Sequence, residues 1–504
     1  MTAAANRRID DLLVYSLVYL RVALLVLFLG RVWLMAMPSG LWVDELVTMF
    51  VVRHPGDASF AIAPQVPESL YYWLPKISLR LFGDSEAMVR LPSVLAMGAA
   101  LFFIARVAVR LVHPDAAWFA VFACLAFRNF DYFAIDARPY ALGIAVSSAG
   151  VLFLIRWFDS ARWQDEAVFL TLAASLWYVH LFYWPFYLVY AVYAGVRLAR
   201  RETQVGALQL VVAAAVLTAA LAPVALTALR ISGNAEAHTF NPEPTLRNLF
   251  YMLHLPPLLI AAAAGWGLRR FLRLKRQGVL PASALTLILC WWLVCPVALF
   301  LYSQISGNGV LIMRYVSLML PGIGLLTTAL AGYFLPVEWW KPAALAVGLG
   351  ALAFLGQWSE LWPAHDHDRW RDAAIVERAS ADRDTPVLCP SPFIEAKWPV
   401  WNPDYRLPGF LYAHLTYYPL NGRLKLFPFK PTAESEAYLG SLVGTSLIPS
   451  GRFVLYGSTW SVRKLDLWLA GTGKFSGWRK EWTKEWHTFD NISVVVYRSP
   501  GKNE

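Results

Sequence analysis

Charge is scarce in this 504-residue chain: charged residues make up 15% of it against 58% hydrophobic residues, where soluble proteins run at roughly 25% and 45–50%. The shortage excludes a disordered chain and argues against an ordinary cytosolic globule. Cysteine is scarce as well. Of the four, Cys124, Cys290 and Cys295 lie inside apolar runs and Cys389 lies in the tail. That excludes a disulfide framework, and no CxxC spacing offers a redox or structural zinc site. No GxGxxG follows a strand-like run and no Walker A motif is present; GTGKFSG at 471–477 has its glycines at the wrong spacing. A nucleotide or nucleotide-sugar site is therefore not expected. HExxH is missing too, and the HDHD run at 365–368 is expected to be a hydrated linker rather than a metal site.

What the chain does have is positive charge, 44 Lys plus Arg against 34 Asp plus Glu for a net +10. On a soluble chain that balance would suggest nucleic acid. Its distribution says otherwise, because the first 359 residues hold 26 basic and 18 acidic residues spread among long apolar runs. The charge belongs to membrane flanks, and no nucleic-acid partner is expected.

Apolar stretches near the length that crosses a bilayer core, about 20 residues, recur and then stop. They fall at 12–36, 88–110, 116–134, 139–157, 166–181, 184–198, 205–229, 251–268, 281–302, 313–335 and 342–358. If these eleven spans alternate, Arg7 and Arg8, Arg106 and Arg110, Arg156 and Arg162, Arg197 to Arg201 and the basic run Arg269 to Arg276 share one side. That side is cytoplasmic by the positive-inside rule, so the N-terminus is inside and residue 359 outside. The first apolar run is too long for a cleavable signal, and no small-residue cleavage site follows Met37.

Residues 38–87 form the first outer loop. Its segment Leu70 to Phe82 interleaves Trp and Tyr with Lys76 and Arg80, the composition of a helix lying in the headgroup plane. From about residue 360 the chain turns Pro-rich, with short β-branched runs at Val387, at Phe453 to Tyr456 and at Ile492 to Tyr497. The expected fold class is a polytopic α-helical membrane protein of about eleven transmembrane helices with interfacial helices in the first outer loop. A small external α/β or α+β domain follows, which divides the chain into 1–359 and 360–504. A bacterial inner membrane with the tail on its periplasmic side fits this pattern.

Ionisable groups at or within a membrane are functional candidates, and the acids gather on one face. Asp44 and Glu45 open the first outer loop in LWVDELVTMF, Glu68 follows in VPESLYYW beside Tyr71 and Tyr72, and Asp136 sits where the third span emerges in AIDARPYAL. A carboxylate there can act as a general base, can cap a helix and stay hydrated, or can ligate a hard divalent cation. Positive partners share the face: Arg314 with Tyr315 in LIMRYVSLMLPG, Arg138 two residues after Asp136, and Lys76 with Arg80. An arginine at the lip of a span suits a phosphate, since its donors are bidentate and always charged; a snorkelling anchor is the alternative. His180, among aromatics at the end of the fifth span, is either an interface residue or a substrate contact.

Taken as an ordered set, WVDE, PESLYYWLPKISLRLFGDSEAMVRLPS, DARPYAL and RYVSLMLPG resemble the glycosyltransferase C superfamily over roughly residues 12–335. The branch resembled holds the protein O-mannosyltransferases and the bacterial lipid A aminoarabinose transferases. The resemblance implies eleven or more spans and a polyprenyl-monophosphate sugar as donor. It also implies an inverting displacement that passes the sugar to a glycan, lipid or protein acceptor. By the same resemblance Asp44 is the first-loop acid nearest the acceptor, Glu68 the acid of the YYW segment, Asp136 the second-loop acid and Arg314 the phosphate contact. One departure stands out. Where the aminoarabinose branch usually has Glu-Lys-Pro-Pro, this chain has Glu68-Ser69-Leu70, so the usual lysine is missing and Lys76 is the candidate to replace it. The rival classes are a transporter or flippase of a polar lipid, which would tend to show inverted repeats with broken helices, and an oligosaccharide ligase using a diphosphate lipid.

Overall fold

The computed structural model describes residues 17–232, 242–274, 280–396, 409–471 and 481–500; most of the GTGKFSG segment lies outside them. The helices of the first part are α1 Leu17–Leu34, α2 Val43–Arg53, α3 Trp73–Phe82, α4 Glu86–Leu111, α5 Ala117–Leu125, α6 Arg128–Ile135 and α7 Tyr140–Ser160. They are followed by α8 Trp163–Val179, α9 Phe186–Ala199, α10 Ala207–Ser232, α11 Leu246–Met252, α12 Leu255–Phe271, α13 Ala282–Ser306, α14 Leu320–Phe334 and α15 Trp340–Leu355.

Each expected apolar stretch contains helix, but the stretches are not equivalent. Among the described residues, six helical segments are long and apolar enough to cross a membrane, eight if each of two bent pairs counts as one span. Helices α8, α9 and α15, with 17, 14 and 16 residues, rise only about 21 to 26 Å against a hydrocarbon core of about 30 Å. The expected third span is not a straight crossing: α5 and α6 meet at 81°. Ala126 ends α5, Phe127, extended at φ −96° and ψ 112°, starts α6, and Asp136, also extended, ends α6. The bend lays α6 across the end of the bundle where α2 sits.

Opposite that end the arginines collect. Arg110 at the far end of α4 and Arg197 near the end of α9 both bind Asp159 of α7, at 3.1 and 2.8 Å, and Arg156 binds Asp165 at 2.8 Å. Since α4 has 26 residues and rises about 39 Å, this basic end is a bilayer thickness away from Glu86 and Arg90.

The tail carries α16 Trp370–Ser380, α17 Ala433–Leu442 and α18 Thr459–Gly471 around strands β1 Pro386–Pro390, β2 Arg423–Phe427, β3 Arg452–Ser458, β4 Thr483–Phe489 and β5 Ile492–Arg498. The sheet order is β2-β1-β3-β5-β4. Strand β1 runs parallel to β2 and β3, and β5 runs antiparallel to β3 and β4. Alternation along each strand separates two cores. Leu388, Phe453, Leu455, Val495 and Tyr497 face α17 and α18. Val387, Cys389, Val454, Tyr456, Val494 and Val496 share a core with α2, α3 and Tyr71 of the first loop. The tail therefore packs directly on that loop. Phe60 stacks on Phe410 with centroids 5.6 Å apart, and the Phe410 amide donates to Ser59 Oγ at 3.0 Å. Gly409, at φ +35°, makes room for the contact, since a Cβ there would meet Ser59 Oγ at 1.7 Å.

Candidate active site

A cavity of about 1130 Å³ opens between α2, the first loop, the start of α7, the end of α8, α10 and the 309–315 segment, with Phe393, Phe410 and Phe429 closing it from the tail. Its chemistry is concentrated on one wall. Asp44 lies in the first turn of α2, where the helix N-terminus favours an acid, and its Oδ2 accepts from Arg314 Nη1 at 2.5 Å. Arg138 follows the turn that ends α6; its Nη1 donates to the Asp44 carbonyl at 3.2 Å and to the Tyr72 hydroxyl at 3.3 Å. The Nε atoms of both Arg138 and Arg314 are buried without a hydrogen-bond partner.

Aromatic rings frame these charges. Arg314 lies over the Tyr315 ring at 5.4 Å, Tyr315 stacks on Phe182 at 4.4 Å, and His180 sits 5.3 Å from Tyr315 and 5.9 Å from Tyr140. His180 Nδ1 accepts the Phe182 amide at 3.2 Å, which fixes its ring at the end of α8. Glu68, exposed, completes the polar lining. From there the wall turns apolar along α10, from Pro223 to Ile231.

Not every expected site residue reaches the cavity. Glu45 is fully buried on the other side of α2, where Arg90 grips both its oxygens, with Nε to Oε1 at 2.7 Å. The Ala137 amide adds a bond to Oε1 at 2.9 Å, and the Trp42 amide one to Oε2 at 3.3 Å as a capping box. Asp136 is also fully buried, behind Trp42, whose Nε1 donates to Asp136 Oδ1 at 3.0 Å. Tyr71 is core, its hydroxyl 3.1 Å from Ser93 Oγ. Lys76, the candidate to replace the missing lysine, is not among the residues that line the cavity, and its Nζ lies over the Trp73 ring at 5.1 Å. Ser69 instead lines the cavity and ties the first loop to α8 by donating to the Val179 carbonyl at 2.7 Å.

The cation reading can be tested on this geometry. Asp44 is engaged by Arg314, and both Glu45 oxygens by Arg90, so the three acids do not form an open ligand set. Glu45, Asp136 and His365 do place ligand atoms within 4.8 Å of one another. A dication there would lie against the Arg90 guanidinium and compete with it for Glu45, and these residues do not fit one.

His365 corrects another expectation. The HDHD run is no hydrated linker at that residue: His365 is buried, its amide donates to Ser39 Oγ at 3.1 Å, and its ring packs 4.4 Å from Tyr132. The Tyr132 hydroxyl in turn donates to Asp366 at 2.6 Å.

Residues 66–230 match the family described as dolichyl-phosphate-mannose-protein mannosyltransferase. A comparison with curated protein sequences found no match. Among solved structures, ArnT from Cupriavidus metallidurans bound to undecaprenyl phosphate superposes with a TM-score of 0.53 at 14% identity, covering 95% of this chain and 97% of that one. The apo state of the same protein gives 0.53 at 15% identity, covering 97% and 99%. The chain therefore shares the fold of these ArnT structures along nearly its whole length.

Within this fold Arg90 and Trp42 organise the site, although the motifs that contain them drew attention to other residues. Arg90 did leave a signal, as a lone charge early in a long apolar helix, which needs a buried partner. The wall supplied by Phe393, Phe410 and Phe429 left none, because it arises only when the tail docks on the first loop.

Proposed function

We propose that this chain is an integral-membrane glycosyltransferase that takes a sugar from a polyprenyl-monophosphate donor and passes it to an acceptor on the non-cytoplasmic face by inverting displacement. The observation that carries this reading is the Asp44–Arg314 pair in the wall of a large cavity, beside Arg138 and at the head of an apolar wall. The two structures of ArnT, one of them holding undecaprenyl phosphate, support the choice of donor class.

Arg314 and Arg138 offer fixed cationic donors for the leaving phosphate, and the apolar wall along α10 suits a polyprenyl chain. Without donor, Arg314 neutralises Asp44. A donor phosphate competes for the Arg314 guanidinium, which prefers bidentate contacts to phosphate oxygens, and so releases Asp44 to accept a proton. The acceptor oxygen or nitrogen then attacks the anomeric carbon, the bond from that carbon to the phosphate oxygen breaks, and polyprenyl phosphate leaves with the electron pair. One carboxylate is enough for a single displacement, whereas a covalent glycosyl-enzyme would need a second acid/base. Glu45 and Asp136 belong in this reading to the frame that holds α2 in place.

The test is direct. Purified protein in lipid vesicles is given a panel of synthetic polyprenyl-phosphate sugars, and polyprenyl-phosphate release is followed with membrane extract as acceptor. Release that depends on acceptor and is lost in Asp44→Asn is expected. Protein-dependent movement of intact donor across the bilayer, with no bond cleavage, would make the chain a flippase instead.

A further inference from the structure

His180 lies where α8 ends. Its backbone is extended at φ −157° and ψ 130°, and the chain passes at once into the short 3₁₀ turn Leu181–Tyr183, which the His180 side chain caps. The cap engages one ring atom, since the Phe182 amide donates to Nδ1 at 3.2 Å. Trp177 Nε1 donates to the Leu181 carbonyl at 2.8 Å, so α8 holds the turn as well. The imidazole rests against Tyr183 at 5.1 Å and Tyr315 at 5.3 Å. Tyr183 is itself fixed: its hydroxyl lies 3.1 Å from Ser317 Oγ, and its ring fills the space beside Gly143 of α7, where no Cβ fits.

A ring nitrogen that accepts an amide N–H carries no proton of its own. The Nδ1–H tautomer and the imidazolium would each set two N–H groups against one another at Phe182, so the ring keeps its one proton on Nε2. Nε2 has no hydrogen-bond partner among the described residues, and the ring lines the cavity. His180 is therefore a donor there, with no lone pair to take an acceptor's proton. The charges acting on it are the Arg138 and Arg314 guanidiniums, whose Nε atoms also lack partners. Such a set of donors suits a ligand that offers only acceptors. We propose that His180 is a neutral phosphate contact, whose Nε2–H bonds an oxygen of the donor's phosphate and gives up no proton during transfer. The inference rests on the cavity holding a polyprenyl-phosphate donor. As the bond from the anomeric carbon to the phosphate oxygen breaks, the electron pair passes to the phosphate, and a fixed N–H bonds the more highly charged product better than the donor. The imidazole does this without adding a third positive charge to the wall.

Two substitutions divide the ring's two functions. His180→Asn keeps an acceptor near the place of Nδ1 for the Phe182 amide, but its own N–H groups fall short of the place of Nε2. His180→Gln reaches that place with an N–H and gives up the cap. Binding of synthetic polyprenyl monophosphate, with polyprenol as the phosphate-free control, is titrated in detergent for wild type and both variants, beside thermal unfolding. His180→Asn is expected to melt like wild type and to bind polyprenyl phosphate about 10-fold to 10²-fold more weakly, the scale of a hydrogen bond to a charged group, with polyprenol binding unchanged. His180→Gln should recover part of that loss although its cap is gone. Nitrogen-15 NMR of histidine-labelled protein should show a neutral imidazole, protonated at Nε2 and bare at Nδ1, that disappears in both variants. An imidazolium or an Nδ1–H tautomer at that signal would overturn the proposal even if a variant fails to fold. So would a folded His180→Asn that binds polyprenyl phosphate as wild type does, or one that loses polyprenol equally. A wild type that binds polyprenol and polyprenyl phosphate alike would instead sink the phosphate reading of the whole cavity, and this contact with it.

Discussion

Asp44 and Glu45 are neighbours in the chain and serve opposite sides of α2: Asp44 meets Arg314 at 2.5 Å in the cavity, while Glu45 is gripped by Arg90 with no exposure at all. The separation follows from the helix, in which successive side chains point about 100° apart. Two acids in one first turn thus become a functional group facing the cavity and a structural group facing the core.

The division predicts opposite phenotypes. Asp44→Asn should fold normally and lose about 10² to 10⁴ in transfer rate, the usual cost of removing a general base. Glu45→Gln leaves Arg90 buried without its counter-charge, and breaking such a pair costs roughly 3–5 kcal/mol, so its melting temperature should fall first. Size-exclusion profile and thermal unfolding beside the transfer assay separate the two. A stable, inactive Glu45→Gln with an active Asp44→Asn would reverse the assignment.

Arg314 is expected to act on the donor phosphate. Arg314→Ala should weaken donor use by roughly 10-fold to 10²-fold, the scale of a charged hydrogen bond worth about 1.5–3 kcal/mol, and Arg314→Lys should weaken it less because the charge remains while the bidentate fork is lost. Donor titrations at fixed acceptor measure this. Unchanged transfer in the alanine variant would make Arg314 a membrane anchor.

Topology can be checked without any substrate. With the arginine-bearing helix ends cytoplasmic, a phosphatase fused after residue 504 should be active and a fluorescent protein fused there dark in a bacterial host, since Lys and Arg mark the retained side. The reverse pattern would place the cavity on the cytoplasmic face and remove the proposed acceptor side.

How much of this was legible depended on whether a residue's role was set locally. Strands β1, β3 and β5 appear in the sequence as β-branched runs because they are interior strands buried on both faces. Strands β2, RLKLF, and β4, TKEWHTF, lie at the sheet edges and carry the charges that protect an edge, which hid them among polar loops. In the site, Asp44, Arg138 and Arg314 stood out because charge beside an apolar run is rare. His365 did not, because its burial is created by Ser39 and Tyr132, more than 200 positions away in the chain. The 81° turn at Phe127 was equally hidden, for the apolar run continues through it.

The tail offers a pH test independent of catalysis. Glu377 on α16 is fully buried; its Oε2 accepts the Asn421 amide at 3.0 Å and its Oε1 has no partner. Burial pushes its carboxyl up to about 7, more than the Asn421 and Arg378 contacts can offset. The folded value lies above the unfolded one near 4.3, so the contribution to stability is complete below the unfolded value and is lost as pH rises through about 7. Glu377→Gln keeps the acceptor for Asn421 and cannot ionise. The variant should therefore be more stable than wild type at pH 8, by an amount on the order of 1–3 kcal/mol, and the gap should close towards acid pH. Because α16 packs in the core that the tail shares with the first loop, the difference should appear in the unfolding of the intact protein followed by intrinsic fluorescence. A gap that is constant with pH, or a variant less stable than wild type at every pH, would mean that Glu377 is ionised and held by its amide contact throughout.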